Sequence, residues 1–216
     1  MISGIALLLS ALLSANPPPA SLPEPGAGQN PAALVEKLAK PVPSSTSYTE
    51  VRFAHQLRRP IVLHGRLDYG GADKLGKRVD SPYRETTEIA DGHVHVQREG
   101  GHTRNFSLDH APQLQALLTG FSAMLGGDPA TLKKFFVMSL NETPDQWTLT
   151  LTPLRSELSR HLRAIVIDGS DDEPHCFSLL ETDGDASVML LGTLASARLA
   201  QPPTRAALTA ICNGKP

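Results

Sequence analysis

Trp147-Thr148-Leu149-Thr150-Leu151-Thr152 alternates apolar and polar residues without a break. Successive side chains of a strand point to opposite faces, so Trp147, Leu149 and Leu151 share one face and the threonines the other. The ring and the β-branched threonines favour the same extended conformation. The stretch therefore predicts a half-buried strand, and the same period recurs along the chain. In Ile61-Val62-Leu63-His64-Gly65-Arg66-Leu67-Asp68-Tyr69 the odd positions are apolar or glycine and the even ones mostly polar. Gly70-Gly71 marks a turn, and another strand is expected from Tyr83 to Ala90. Asp91-Gly92 is the dipeptide of a two-residue hairpin; His93-Val94-His95-Val96-Gln97 alternates after it, and Gly100-Gly101 leads into Thr103–Leu108. Beyond the opening stretch, strands are expected at Leu162–Ile167, Cys176–Thr182 and Ala186–Gly192, with turns at Asp168-Gly169 and Asp183-Gly184.

Helical spacing interrupts this pattern. Pro31 opens a short helix over Ala32–Ala39, which Pro41 and Pro43 end. Gln113–Leu125 carries apolar residues at 114, 117, 118, 121, 124 and 125, one face of a helix. Gly126-Gly127 ends it. Asp128 as cap and Pro129 in the first turn predict a further helix running to about Val137. Residues 201–216 form a tail with a helix over Thr204–Ile211. The expected order is a helix, about four strands, two helices and about four strands, an α+β fold with helices on one face of a large curved antiparallel sheet.

The chain has 216 residues, 18 prolines, 17 glycines and a net charge of −2. That suits one domain with many turns, and it gives no electrostatic reason to bind nucleic acid. Ile2–Leu13 is almost wholly apolar, too short to span a bilayer but right for the core of a signal peptide over residues 1–15. Cleavage is expected after Ala15, with Ala20 as the alternative. Residues 16–30 read as a Pro/Gly-rich linker. These features imply export.

No catalytic centre stands out, so no enzymatic activity is expected. Gly71-Ala72-Asp73-Lys74-Leu75-Gly76-Lys77 misses the phosphate-binding loop, because Arg78 occupies the place of the required Ser or Thr; the run reads as a loop between strands. The eight histidines lack metal-ligand spacing, and there is no G-x-S-x-G elbow. No cofactor is expected. Cys176 and Cys212 either pair in an oxidising compartment or stay as buried thiols. What remains is the apolar set Leu117, Leu118, Phe121, Met124, Leu125, Phe135, Phe136 and Met138, which forms ordinary core or lines a cavity; periodicity alone does not choose.

A resemblance bears on that choice. After the N-terminal helix come Phe53 and Gln56, a strand ending at Gly65-Arg66-Leu67, and Ser81-Pro82-Tyr83-Arg84-Glu85, which looks like an "RP-x-x-F-x-W" strand. Asp91-Gly92, two helices and Trp147–Pro153 with its "L-x-P" ending follow in order. Over residues 32–195 the chain resembles the LolA/LolB-like periplasmic carriers of outer-membrane lipoproteins. The resemblance implies an incomplete β-barrel over residues 31–200, with helices as a lid on an apolar cavity that shields acyl chains. Leu117, Leu118, Phe121, Met124, Leu125, Phe135, Phe136, Trp147, Leu149 and Leu151 would line it. The family's functional arginine precedes the proline; Ser81 stands there, leaving Arg84 or Arg78 as the polar gate. The implied partners are acyl chains of a lipoprotein or another lipid, an inner-membrane exporter and an outer-membrane acceptor, served by a monomer. The alternative is a non-catalytic envelope adaptor beside a lipid or metabolite exporter.

Overall fold

The computed structural model describes residues 30–154 and 156–214. The expected signal peptide and most of the linker lie outside the described residues. Eleven strands form one open sheet: β1 (Ser44–Phe53), β2 (Ile61–Gly71), β3 (Lys74–Ser81), β4 (Glu85–Ala90), β5 (His93–Arg98), β6 (His102–Ser107), β7 (Phe136–Glu142), β8 (Trp147–Pro153), β9 (Leu162–Ser170), β10 (Glu173–Glu181) and β11 (Ala186–Leu191). The helices are α1 (Pro31–Lys37), α2 (Pro112–Leu125), α3 (Pro129–Leu132), α4 (Ser156–Ser159) and α5 (Arg205–Cys212). No helix among the described residues is long and apolar enough to cross a membrane.

The strand order is β6-β5-β4-β3-β2-β1-β11-β10-β9-β8-β7, antiparallel throughout. The chain meanders from the central β1 out to one edge, crosses to the opposite edge, and returns hairpin by hairpin to the centre. The crossing is made by residues 108–135. In a flat sheet of eleven strands the edges would stand about 48 Å apart. The fourteen residues of α2 span only about 21 Å, and α2 and α3 pack on each other instead of running on in line: the Asp128 amide bonds back to the Ala123 carbonyl at 2.8 Å. The crossing thus folds back on itself between the two edges.

Register sorts the side chains. Directly paired residues share a face, so Leu140, Leu149, Ile167, Phe177, Met189, Glu50 and Leu63 form one row across seven strands. This is the front face, on which α1 to α4 pack through Leu34, Val35, Leu38, Met124, Leu132 and Leu158. On the back face, Val51, Cys176, Val188 and Leu190 pack under α5 and a short 3-10 turn, Gly192–Ser196. The segment read as a tail is thus part of the core: Leu208 is 1% exposed, and Cys212 is bonded to Cys176.

Three local expectations are corrected. The run read as a loop at 71–77 is mostly β3; the turn is confined to Ala72-Asp73. The helix begun by Asp128, whose carboxylate accepts from the Thr131 amide at 2.9 Å, ends at Leu132, and Phe136–Glu142 is the edge strand β7. The aromatic and β-branched residues there gain more from pairing with β8 than a helix offers. Asp168-Gly169 is no turn but lies within β9. Gly169 is there for room: a Cβ would sit 2.3 Å from the Trp147 ring, which lies over it and donates its indole N–H to the Asp171 carbonyl at 3.0 Å. Asp91-Gly92 does make the tight hairpin, both residues having positive φ (50° and 75°) and Ala90 pairing with His93. The sheet accordingly has six strands before the helices and five after.

Candidate functional site

The front face divides at β1. From β7 to β10 it is apolar and roofed by helices. Phe136, Leu149 and Leu151 are at most 2% exposed, Trp147 and Met124 at most 5%. Leu117, Phe121, Leu125 and Phe135 are half-buried against them, and Phe121 sets its ring edge-on to Phe177 at 5.1 Å between centroids. Leu118 is half-buried on α2. The residues nominated from sequence are thus largely brought together, yet most of the space between them is occupied by their own side chains. A groove of about 180 Å³ remains between α2 and α4, lined by Leu114, Leu117, Leu158, Leu162 and Leu179 with His161, Glu157 and Glu181 at its rim. Ligand pockets usually start near 300 Å³, so a chain of any length enters only if α2 lifts.

The ties on α2 are weak in the right way. Its first turn has no side-chain cap, and neither end carries a charge that complements the helix dipole. Its middle holds Gly120, where a Cβ would stand 2.4 Å from the Phe136 ring. A helical glycine costs about 1 kcal/mol relative to alanine; here it lets the helix lie close on the edge strand. Beside the Lys40 amide, which donates to the Leu125 carbonyl at 2.8 Å, it is mostly apolar contact that holds α2 down.

At the seam the same face carries charge. Glu50, on β1 between Met189 and Leu63, is 3% exposed. It accepts from Arg52 Nε at 2.7 Å, from the Ser187 hydroxyl at 2.6 Å and from the Lys77 ammonium. Burial alone would raise its pKa, but the Arg52 hydrogen bond and the charges of Lys77 and Arg52 outweigh it and hold the carboxyl down at about 2. The partners share the burden unequally. Desolvation lowers Lys77 below the ordinary lysine value despite Glu50; Glu50, with three donors on it, is the better-stabilised ion. Lys77 lies over the Tyr48 ring, 5.1 Å from its centroid, and Tyr48 donates to the Arg78 carbonyl at 3.1 Å across Gly65, where any Cβ would collide with that carbonyl. Beyond them Arg98 stacks on Tyr83 at 4.0 Å and pairs with Glu85 at 3.6 Å.

The two arginines nominated from sequence lie outside this charge cluster. Arg78 pairs in register with Arg66 and Thr86 on the back face and is exposed; Lys77, its neighbour, is the front-face cation. Arg84 is exposed in the turn before β4, where its carbonyl accepts from the Glu99 amide. The missed residue is Glu50. Tyr48-Thr49-Glu50-Val51 are four successive buried residues of a strand covered on both faces, which the sequence pattern does not announce.

A larger hollow of about 390 Å³ lies away from this face, at the β1–β2 and β10–β11 loops, lined by Phe53, His55, Arg58, Arg59, Asp183, Asp185 and Arg205 among others. His55, Asp183 and Asp185 bring ligand atoms within 4.8 Å of one another. The His55 ring meets Asp185 at 2.9 Å, which raises the histidine pKa chiefly through that hydrogen bond. Three arginines crowd the same loops and oppose a bound cation, so this is an ion-paired surface cluster.

A family model described as outer membrane lipoprotein carrier protein LolA-like matches residues 26–215. Among solved structures, the LolA superfamily protein NE2245 from Nitrosomonas europaea is 9% identical, with 79% of this chain and 93% of that one covered at a TM-score of 0.41. A DUF1329 family protein from Desulfovibrio piger is also 9% identical, covering 82% and 95% at 0.40. LprF from Mycobacterium bovis is 10% identical, covering 81% and 92% at 0.34. No curated protein matches significantly.

Proposed function

The chain belongs to the LolA-like outer membrane lipoprotein carrier family, and from that premise we propose that it is a periplasmic carrier whose front face takes up acyl chains beneath α2. One observation carries the reading: a long apolar helix, tied down mostly by apolar contact, roofs an apolar half-sheet beside a groove already open between α2 and α4. An incoming chain displaces Leu117, Phe121 and Leu125 from the sheet and covers both surfaces it separates. Each CH₂ transferred from water contributes roughly 0.8 kcal/mol, so a lipid chain offsets the packing that α2 gives up when it lifts. No covalent step is required. The cargo is a lipoprotein or another lipid, loaded at the inner membrane and passed on when an acceptor closes α2 behind the departing chain.

The test is equilibrium binding of a fluorescent C16 fatty acid to the protein and to Leu117→Glu. A saturable, single-site signal, weakened at least tenfold by the substitution while the circular dichroism of the sheet is retained, is the expected result. Absence of uptake by the wild-type protein contradicts carriage and supports an adaptor with a filled core.

A further inference from the structure

We propose that Arg52, Lys77 and Arg98 form a headgroup subsite on the front face, which takes the phosphate oxyanion of an anionic lipid whose chains lie on the apolar surface beside it. The inference rests on the reading of that face as an acyl-chain surface and deepens it by naming the class of lipid.

The first argument is the layering of charge. The Glu50 side chain is 4% exposed, whereas Arg52 and Arg98 are 45% and 46% exposed and Lys77 27%. The carboxylate lies beneath and the cations stand above it, so the face presents positive charge outward. The groups are connected: Lys77 feels the charge of Glu85, the Glu85–Arg98 pair follows on the next strands, and Tyr83, under Arg98, lies close enough to act on Arg52. Around Glu50 itself two cations face one carboxylate, which leaves one positive charge unbalanced.

The second argument is the donor count. A guanidinium has five N–H donors and an ammonium three. Glu50 takes only the Nε and one Nη of Arg52 and one proton of Lys77. Arg98 meets Glu85 at 3.6 Å, too long for a good hydrogen bond, so its fork is available. Arginine forks and a lysine point charge are the side chains that suit phosphate. Glu50 fixes two of the three in place, so little side-chain entropy remains to be lost on binding.

The third argument is position. Glu50 stands in the same cross-strand row as Met189 and Phe177, two strand spacings or roughly 10 Å from the ring that touches Phe121 on α2. A chain entering beneath α2 along that row ends at the cations. The back face of β2 to β5 offers nothing similar: Arg66, Asp68, Arg78 and Glu88 mix both signs there.

The experiment is a pair of titrations of the protein with pyrene-labelled phosphatidylglycerol and phosphatidylcholine of identical chains. Phosphatidylglycerol is expected to bind at least tenfold tighter. Lys77→Gln with Arg98→Gln reduces that preference below twofold. Arg98→Gln alone, on an exposed side chain outside the hydrogen bonds to Glu50, reduces it at least threefold while the circular dichroism of the sheet is retained. Equal affinity of the wild-type protein for both lipids overturns the subsite but leaves acyl carriage standing. Binding of neither lipid overturns carriage and the subsite together. Competition by glycerol phosphate as strong as by phosphatidylglycerol overturns the lipid assignment in favour of a plain anion site, and an equal loss for both lipids in the variants overturns the assignment of these residues.

Discussion

From β7 to β10 the front face is covered by four helices, and its central residues, Leu149 and Ile167, are fully buried among other apolar side chains. From β1 to β6 the same face has a small core of Tyr48, Leu63 and Val79, a buried carboxylate with two cations over it, and an edge at which Phe106 is 38% exposed. One sheet thus carries two kinds of surface, and register alone decides which residues meet. The first half is stabilised by area removed from water. The second depends on a charge cluster, which is stable only while every member keeps its partner. The proposed binding of an amphiphile uses both kinds, side by side.

The comparison breaks if the halves respond alike to truncation. Phe136→Ala removes a ring under α2 and should cost about 3–5 kcal/mol, whereas Phe106→Ala at the opposite edge should cost about 1 kcal/mol or less. Urea denaturation of both variants measures the gap. Equal costs would mean that the second half is as tightly packed as the first.

Acid sharpens the contrast. The Glu50 carboxyl, ordinarily 4.5, is held at about 2 in the folded protein. A depressed carboxyl stabilises the fold above its unfolded pKa, so this contribution is complete above pH 4.5 and disappears as the pH falls toward 2. Its size is about 3 kcal/mol. Urea midpoints followed downward from pH 5 should fall steeply in the wild-type protein and more shallowly in Glu50→Gln.

Reduction of Cys176–Cys212 probes the back face as a control. The bond closes a separation of 36 residues, and its loss should cost about 2–4 kcal/mol while leaving uptake of an acyl probe on the front face intact. A smaller effect than that of Phe136→Ala is expected from Gly120→Ala. The added methyl presses on the Phe136 ring, costs about 1–3 kcal/mol through overpacking, and props α2 away from the sheet. Faster association of the fluorescent fatty acid, measured by stopped flow, is the predicted signature.

The alternation in Trp147–Thr152, the spacing in Gln113–Leu125 and the Asp91-Gly92 turn were readable because each element is covered on one side only, so polarity reports direction. β3 was not, since Lys77 points inward to Glu50 and breaks the pattern that a strand should show. β7 hid behind a genuine helix start at Asp128-Pro129, whose signal says nothing of how soon the helix stops. Gly169 reads as a turn unless the Trp147 ring above it is known. The apolar half of the site was legible as composition on a helix and a strand. Its charged half was not, because Glu50, Lys77 and Arg98 come from β1, β3 and β5 and meet only through the sheet.

Native mass spectrometry of the protein purified gently from the cell envelope, followed by lipid extraction, tests the central claim most directly. One acyl-chain ligand per protein, lost when Phe121→Glu is made in a chain that still folds, is the predicted result. A ligand-free mass, in a protein that also fails to take up added lipid, would contradict it.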